Sequence, residues 1–183
     1  LGGARSGKSS YALDAAMQRP GGVLYVATAQ ALDGEMAERI ARHRDERPSH
    51  WETLEAPTRA GDALAERLRA GAPPATVIFD CLTLLASNVL LALPDDATQD
   101  SATGAILAET RALLDGWRAH AAAGALFYVV SNEVGMGVVP PTRLGRFYRD
   151  ALGSANQLVA READEVLLLV AGLPWRLKSA SGG

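Results

Sequence analysis

With 183 residues, 48% of them apolar and 21% charged, the chain has the composition of one globular domain with a substantial core. Its net charge of −3 includes no basic stripe, which excludes a nucleic-acid footprint; the single cysteine, Cys81, excludes an internal disulfide and suits a reducing, cytoplasmic setting. The apolar runs fall far short of the roughly 20 residues that a membrane span needs, and no secretory signal is visible.

The first element in chain order is a turn. Gly2-Gly3-Ala4-Arg5-Ser6-Gly7-Lys8-Ser9 fits the phosphate-loop spacing of Gly, four residues, then Gly-Lys-Ser. The glycines let the backbone curl so that successive amide N–H groups point at phosphate oxygens. Lys8 is expected to reach the outer phosphates, and the Ser9 hydroxyl to ligate Mg2+. A helix over 10–18 adds the positive end of its dipole to the same anion site, with Tyr11, Ala15 and Leu13 expected to face inward. Pro20-Gly21-Gly22 stops that helix. Such a turn normally follows a buried strand, and only Leu1 stands before it, so that strand is expected to lie outside these residues.

Residues 23–28 form an apolar run of strand length, suited to a parallel strand buried on both faces. Asp33 is placed to cap a helix that runs to about Arg47, where Pro48 turns the chain away. Trp51 and Thr53 alternate with polar neighbours in a short strand over 50–55, and a helix over 59–69 ends at Gly71 and Pro73-Pro74. Residues 76–79 are a second buried strand with Asp80 at its carboxyl end. An apolar helix over 82–93 is closed by Pro94, and 95–101 reads as a surface loop before a long helix over 102–123. A third buried strand, 126–131, leads into the glycine-bearing loop 132–141; then come a helix over 143–162, a fourth apolar strand over 165–170 and a short edge strand over 175–178. Strands alternating with helices predict an α/β fold, a mostly parallel sheet with helices on both faces. Ligands of such sheets bind beyond the carboxyl ends of the strands, so Asp80, Glu133 and the phosphate turn are expected to meet at one edge. Residues 1–183 are therefore read as a single nucleotide-binding domain.

Two residues stand out for chemistry beyond the turn. Asp80, an acid ending a Val-Ile-Phe strand, is placed to hold the shell of a magnesium ion, or else to cap the helix that follows. His43 follows Met36 by seven residues and Ile40 by three, which puts it on the apolar stripe of its helix as an interfacial ring. The neighbouring cations Arg44 and Arg47 suit a bound phosphate instead. A neutral imidazole, with a reference pKa of about 6.5, is a competent nucleophile whose attack on the α-phosphate of a nucleotide releases pyrophosphate. Glu55 stands at a strand end as a ribose or base contact or as a solvated carboxylate. The loop from Asn132-Glu133 through Gly135-Met136-Gly137 reads as a substrate contact or a simple connection. Cys81 reads as a small buried residue and His120 as a cation at a helix end.

Taken together, the turn over 2–9, Tyr25-Val26-Ala27-Thr28-Ala29, the stretch from His43 through Arg47-Pro48 to Trp51 and Glu55, and Asn132-Glu133-Val134-Gly135-Met136-Gly137-Val138-Val139-Pro140 carry a resemblance. They resemble the bifunctional adenosylcobinamide kinase/adenosylcobinamide-phosphate guanylyltransferase family, in the same order over nearly the whole chain. The resemblance implies a RecA-like P-loop NTPase domain, usually a homotrimer, and two reactions of cobalamin biosynthesis. ATP or GTP phosphorylates adenosylcobinamide; GTP then guanylylates a histidine, matched by His43, and the GMP passes to adenosylcobinamide phosphate. It also implies nucleotide contacts at Gly2, Gly3, Ala4, Arg5, Ser6, Gly7, Lys8 and Ser9, at Ala27, Thr28 and Ala29, at Arg44, Asp45, Glu46 and Arg47, and at Glu55 and Asp80. Mg2+ is expected at Ser9 and Asp80. The alternative is a small-metabolite P-loop kinase that leaves His43 structural. A nucleotide switch or motor subunit ranks below both, since no Asn-Lys-x-Asp sequence and no basic DNA groove is present.

Overall fold

The computed structural model describes residues 1–31 and 33–179, with Glu35 and Arg39 described by their backbone. Four short segments rich in β-branched, aromatic and leucine side chains, β1 (Val23–Ala27), β2 (Glu52–Glu55), β3 (Thr76–Asp80) and β4 (Leu126–Val130), form a sheet in the order β2-β1-β3-β4. All three pairings are parallel. Ala27 is in register with Glu55 on one side and with Asp80 on the other, so three strands finish at one edge.

Alternate residues of β1 and β3 face opposite layers. Leu24, Val26, Val77 and Phe79 enter one core with α3 (Ala60–Ala70), α4 (Leu82–Leu91), α5 (Gln99–His120) and α6 (Arg143–Glu162). Val23, Tyr25 and Ile78 enter the other, against Ala12, Leu13 and Ala16 of α1 (Lys8–Met17) and the Trp51 ring. The inner face of α1 is thus Ala12, Leu13 and Ala16; Tyr11 and Ala15, expected inside, are half-buried. The helix starts at Lys8 rather than Ser10. Thr53 likewise is exposed, and Leu54 is the residue of β2 that packs on the core.

Two further differences have clear causes. The polar stretch over 95–101 is not all loop, because the Thr98 hydroxyl accepts from the Ser101 N–H and the Ser101 hydroxyl accepts from the Thr98 N–H. This reciprocal cap starts α5 at Gln99. The fourth apolar strand, β5 (Val166–Val170), runs parallel to the sheet but meets it through the segment 1–2 rather than through β4 itself, and it pairs antiparallel with β6 (Leu173–Lys178). Ala171 and Gly172, with φ of 52° and 82°, make the two-residue turn whose twist matches a hairpin. Ala-Gly is a weaker turn signal than Asn-Gly. The segment 1–2 lies between this hairpin and β4: Gly2 bridges both Asn132 and Leu169, and the Leu1 carbonyl accepts from Leu169 N–H at 2.8 Å. Among the described residues, no helix is long and apolar enough to cross a membrane.

Helices α3 and α5 cross at glycines. A Cβ on Gly61 would stand 2.3 Å from the Ala112 carbonyl carbon, whereas one on Gly104, also in α5, would meet nothing within 4 Å. Gly61→Ala is therefore expected to destabilise the protein by about 1–3 kcal/mol through overpacking. Gly104→Ala is expected to stabilise it by about 0.5–1 kcal/mol through helix propensity. Urea midpoints of the two variants check this pair, and equal midpoints would refute the close approach.

Candidate functional site

The turn over 2–9 is positioned by backbone bonds on both flanks. Glu133 N–H donates to the Gly2 carbonyl at 3.0 Å, and Gly172 N–H donates to the Ser6 carbonyl at 3.0 Å. The turn therefore sits at the carboxyl edge, beside the ends of β4 and β5. Gly7 caps α1 with φ 93°, a left-handed conformation natural to glycine, and a Cβ there would stand 3.2 Å from the Gly172 Cα. No side chain caps this helix end, so its first N–H groups are left to an external acceptor or water. Lys8 folds back over its own turn, its Nζ donating to the Gly3 carbonyl at 2.6 Å and reaching Ser6 Oγ at 3.5 Å.

Next to the turn, beyond the ends of β1, β2 and β3, lies a cleft of about 580 Å³, a volume suited to a small-molecule ligand. Ser9, Asp80, Ala27 and Ala29 line one side. His43, Arg44 and Arg47 line the other with Met36 and Ile40, all from α2 (Gly34–Asp45) or the residues just past it. Glu55 lines it from the end of β2. Asp33 accepts from Met36 N–H at 2.7 Å and caps α2. The stripe of Met36, Ile40 and His43 thus faces the cleft rather than the sheet. His43 is about one-third exposed, and its Nδ1 lies 3.9 Å from Glu46 Oε2.

Polar contacts tie α2 to the sheet edge. Arg44 Nη2 donates to Glu55 Oε1 at 2.7 Å, but both side chains are largely exposed, so the pair contributes little stability. Arg47 donates from Nε to the His43 carbonyl at 2.8 Å and from Nη1 to Thr53 Oγ1 at 3.2 Å. Its guanidinium carbon stands 3.7 Å from the centre of the Tyr25 ring. Tyr25 in turn donates its hydroxyl to Asp80 Oδ2 at 2.7 Å. Burial and the Asp80 charge hold the phenol protonated well above the ordinary tyrosine range. Asp80 makes no cap for α4, whose N-cap is Cys81; its carboxylate is turned to Tyr25 and the cleft.

The sequence-predicted residues divide by position. Ser9, Ala27, Ala29, His43, Arg44, Arg47, Glu55 and Asp80 come together at the cleft. Gly2, Gly3, Ala4, Arg5, Ser6 and Gly7 form the adjoining turn without lining it. Thr28 is fully buried, and its hydroxyl bonds both the N–H and the carbonyl of Cys81 at 2.8 Å, joining the ends of β1 and β3. Asp45 and Glu46 lie on the exposed side of α2 and its C-cap. Sequence reasoning missed Tyr25, Thr53 and Asn88 as site residues. Asn88 Nδ2 donates to the Thr28 and Pro57 carbonyls at 2.9 and 2.8 Å, binding together the loops that follow β1 and β2. An Asn inside an otherwise apolar helix is the signal that could have found it; Tyr25 carries none, since a tyrosine in a buried strand reads as core.

Fold and cleft together define an α/β protein with a ligand site beyond the carboxyl ends of a parallel sheet. Residues 1–177 match the family described as cobinamide kinase / cobinamide phosphate guanyltransferase. The chain is 44% identical over 179 residues to the bifunctional adenosylcobalamin biosynthesis protein CobP of Pseudomonas aeruginosa, covering 97% of this chain and 95% of that one. It is 41% identical over 181 residues to the bifunctional adenosylcobalamin biosynthesis protein CobU of Salmonella typhimurium, covering 97% of each. The Escherichia coli K12 protein of the same name is 40% identical over 183 residues, again with 97% of each chain covered. The chain belongs to this family of bifunctional cobinamide kinases and cobinamide-phosphate guanylyltransferases, enzymes of cobalamin biosynthesis.

Cys81 borders the cleft, where burial first and the Asp80 charge second push its thiol up to about 11 from an ordinary 9.0. The folded protein should therefore hold about a hundredfold less thiolate at pH 8 than the unfolded chain. Its rate of reaction with a disulfide reagent should be lower by roughly tenfold or more, since a more basic thiolate is also a stronger nucleophile, and should rise with pH toward 11. Equal rates in buffer and in urea at pH 8 would refute the assignment.

Proposed function

We propose that the cleft beside the turn over 2–9 is a single nucleotide site that serves two reactions in turn. In the first, ATP or GTP phosphorylates the side-chain hydroxyl of adenosylcobinamide. In the second, GMP passes from GTP through His43 to adenosylcobinamide phosphate, giving adenosyl-GDP-cobinamide and pyrophosphate. The observation that carries this reading is that His43 lines the same cleft as Ser9 and Asp80, within one ligand's reach of the phosphate turn.

The turn and the uncapped start of α1 supply backbone N–H groups for the phosphates, and Lys8 supplies a cation beside them. A P-loop NTPase domain of the RecA-like kind, formed by this chain as one unit, accounts for that arrangement. Ser9 and Asp80 present a hydroxyl and a carboxylate, oxygen donors that fit Mg2+, which takes few protein ligands and keeps its waters and substrate phosphates. When bound there, Mg2+ would neutralise charge on the phosphates. Phosphoryl transfer breaks the bond from the β–γ bridging oxygen to the γ-phosphorus and makes one to the acceptor hydroxyl oxygen, whose proton goes to solvent. It needs placement and charge neutralisation more than covalent help.

Guanylyl transfer acts on a different phosphorus. A neutral imidazole nitrogen of His43 bonds the α-phosphorus as the bond to the α–β bridging oxygen breaks, and pyrophosphate leaves. Glu46, near the other ring nitrogen, favours the positive charge the ring acquires. Arg44 and Arg47 offset the phosphate charge. A phosphate oxygen of adenosylcobinamide phosphate then displaces the imidazole. The reading extends to a homotrimer in the cytoplasm, with no nucleic-acid or membrane partner.

Incubation with α-labelled GTP and Mg2+ tests the proposal. The protein should acquire a label that acid removes and alkali does not. His43→Ala should lower the adduct by about a thousandfold or more while cobinamide phosphorylation stays within about threefold. An unlabelled wild-type protein, as a plain metabolite kinase would be, or equal loss of both activities in the variant, overturns it.

A further inference from the structure

Tyr25 is 3% exposed and sits at the middle of β1, between Thr53 of β2 and Ile78 of β3. Its side chain leaves the apolar layer formed with Ala12, Leu13, Ala16 and Ile78 and ends in the cleft. Two different parts of it are engaged there. The hydroxyl donates to Asp80 Oδ2 at 2.7 Å, and the ring face carries the Arg47 guanidinium at 3.7 Å. A phenylalanine would fill the same volume and offer the same ring, so the hydroxyl is not required for packing. What the hydroxyl adds is a fixed direction for one carboxylate.

Arg47 is engaged equally specifically. Its Nε holds the His43 carbonyl and its Nη1 holds Thr53, so the guanidinium lies flat between the last turn of α2 and the sheet edge. The negative face of the aromatic ring attracts the cation, and more strongly as water is excluded. The Arg44–Glu55 pair, exposed on both sides, is the weaker tie between α2 and β2.

We infer that Tyr25 is a positioning residue for both halves of the cleft, its hydroxyl aiming the Asp80 carboxylate and its ring seating Arg47 and the segment that carries His43. The hydroxyl's role rests on the proposed nucleotide–Mg2+ site; the ring's role rests on the fold alone. The hydroxyl acts through Asp80, in the manner of the outer partners that orient a metal-binding carboxylate. The ring acts through Arg47, and what its loss adds to the loss of the hydroxyl is a looser α2.

Two substitutions separate the roles. Tyr25→Phe removes the hydroxyl and keeps the ring; Tyr25→Leu removes both. Calorimetric titration, with and without Mg2+, uses GTP carrying a methylene group in place of the α–β bridging oxygen, which cannot guanylylate His43. Tyr25→Phe should bind this nucleotide alone as wild type does, within about twofold, while the affinity gained on adding Mg2+ falls about tenfold. An unchanged gain overturns the hydroxyl's role. Hydrogen exchange of the ligand-free proteins tests the ring: amides over 40–46 should exchange at the wild-type rate in Tyr25→Phe and about tenfold faster in Tyr25→Leu, with β3 amides unchanged. No acceleration, or equal acceleration across the sheet, overturns the ring's role and leaves Tyr25 a packing residue. A wild-type protein that binds no GTP overturns the functional reading and the hydroxyl's role with it, whereas the exchange result stands or falls without nucleotide.

Discussion

Every group at the cleft is where it is because β1 lies between β2 and β3 and all three run the same way. Parallel pairing puts the carboxyl ends of the strands at a single edge, so Ala27, Glu55 and Asp80 share one level in the register. Side chains and loops that leave those ends converge without any further device. The apolar layers on the two faces keep the strands in that relation, since Val26, Val77, Ile78 and Phe79 are completely buried. Shifting any one strand by a residue would send its core side chains to the wrong face.

Chemistry at such an edge is assembled from separate pieces, each held by a different kind of force. The phosphate turn is held by backbone hydrogen bonds to the segments after β4 and β5. Asp80 is held by a phenol, and the loops after β1 and β2 are joined by the Asn88 amide. Helix α2 is the exception. Its apolar stripe faces the cleft, and among the described residues the arginines at its carboxyl end tie it to the sheet edge. A helix whose apolar face looks into a ligand site is a natural carrier for a group that must approach the ligand. The burial energy that fixes α1 and α3 in place is largely missing from it.

Much of the site is legible in the residues alone. The spacing of Gly2, Gly7, Lys8 and Ser9 marks a turn of phosphate-loop pattern because glycine and lysine have few other reasons to occur in that order. Asp80 is legible because an acid that ends an apolar strand has no place in a core. His43 is ambiguous: an imidazole on an apolar stripe reads as interior until one knows what the stripe faces. Tyr25 is illegible, since strand periodicity assigns it to the core and only the geometry reveals that its hydroxyl and its ring serve two other residues.

Local patterns alone determined the existence and order of the helices, the buried strands, the turn of phosphate-loop spacing and the candidate nucleophile. These follow from propensity, periodicity and caps, which act over a few residues. The tertiary structure decided what no local pattern encodes. It set the place of β5, joined to the parallel sheet through the segment 1–2, and the face that α2 presents. Those outcomes depend on which surfaces are left to pair once the rest of the chain is in place, and the energy of that pairing belongs to residues far apart in sequence.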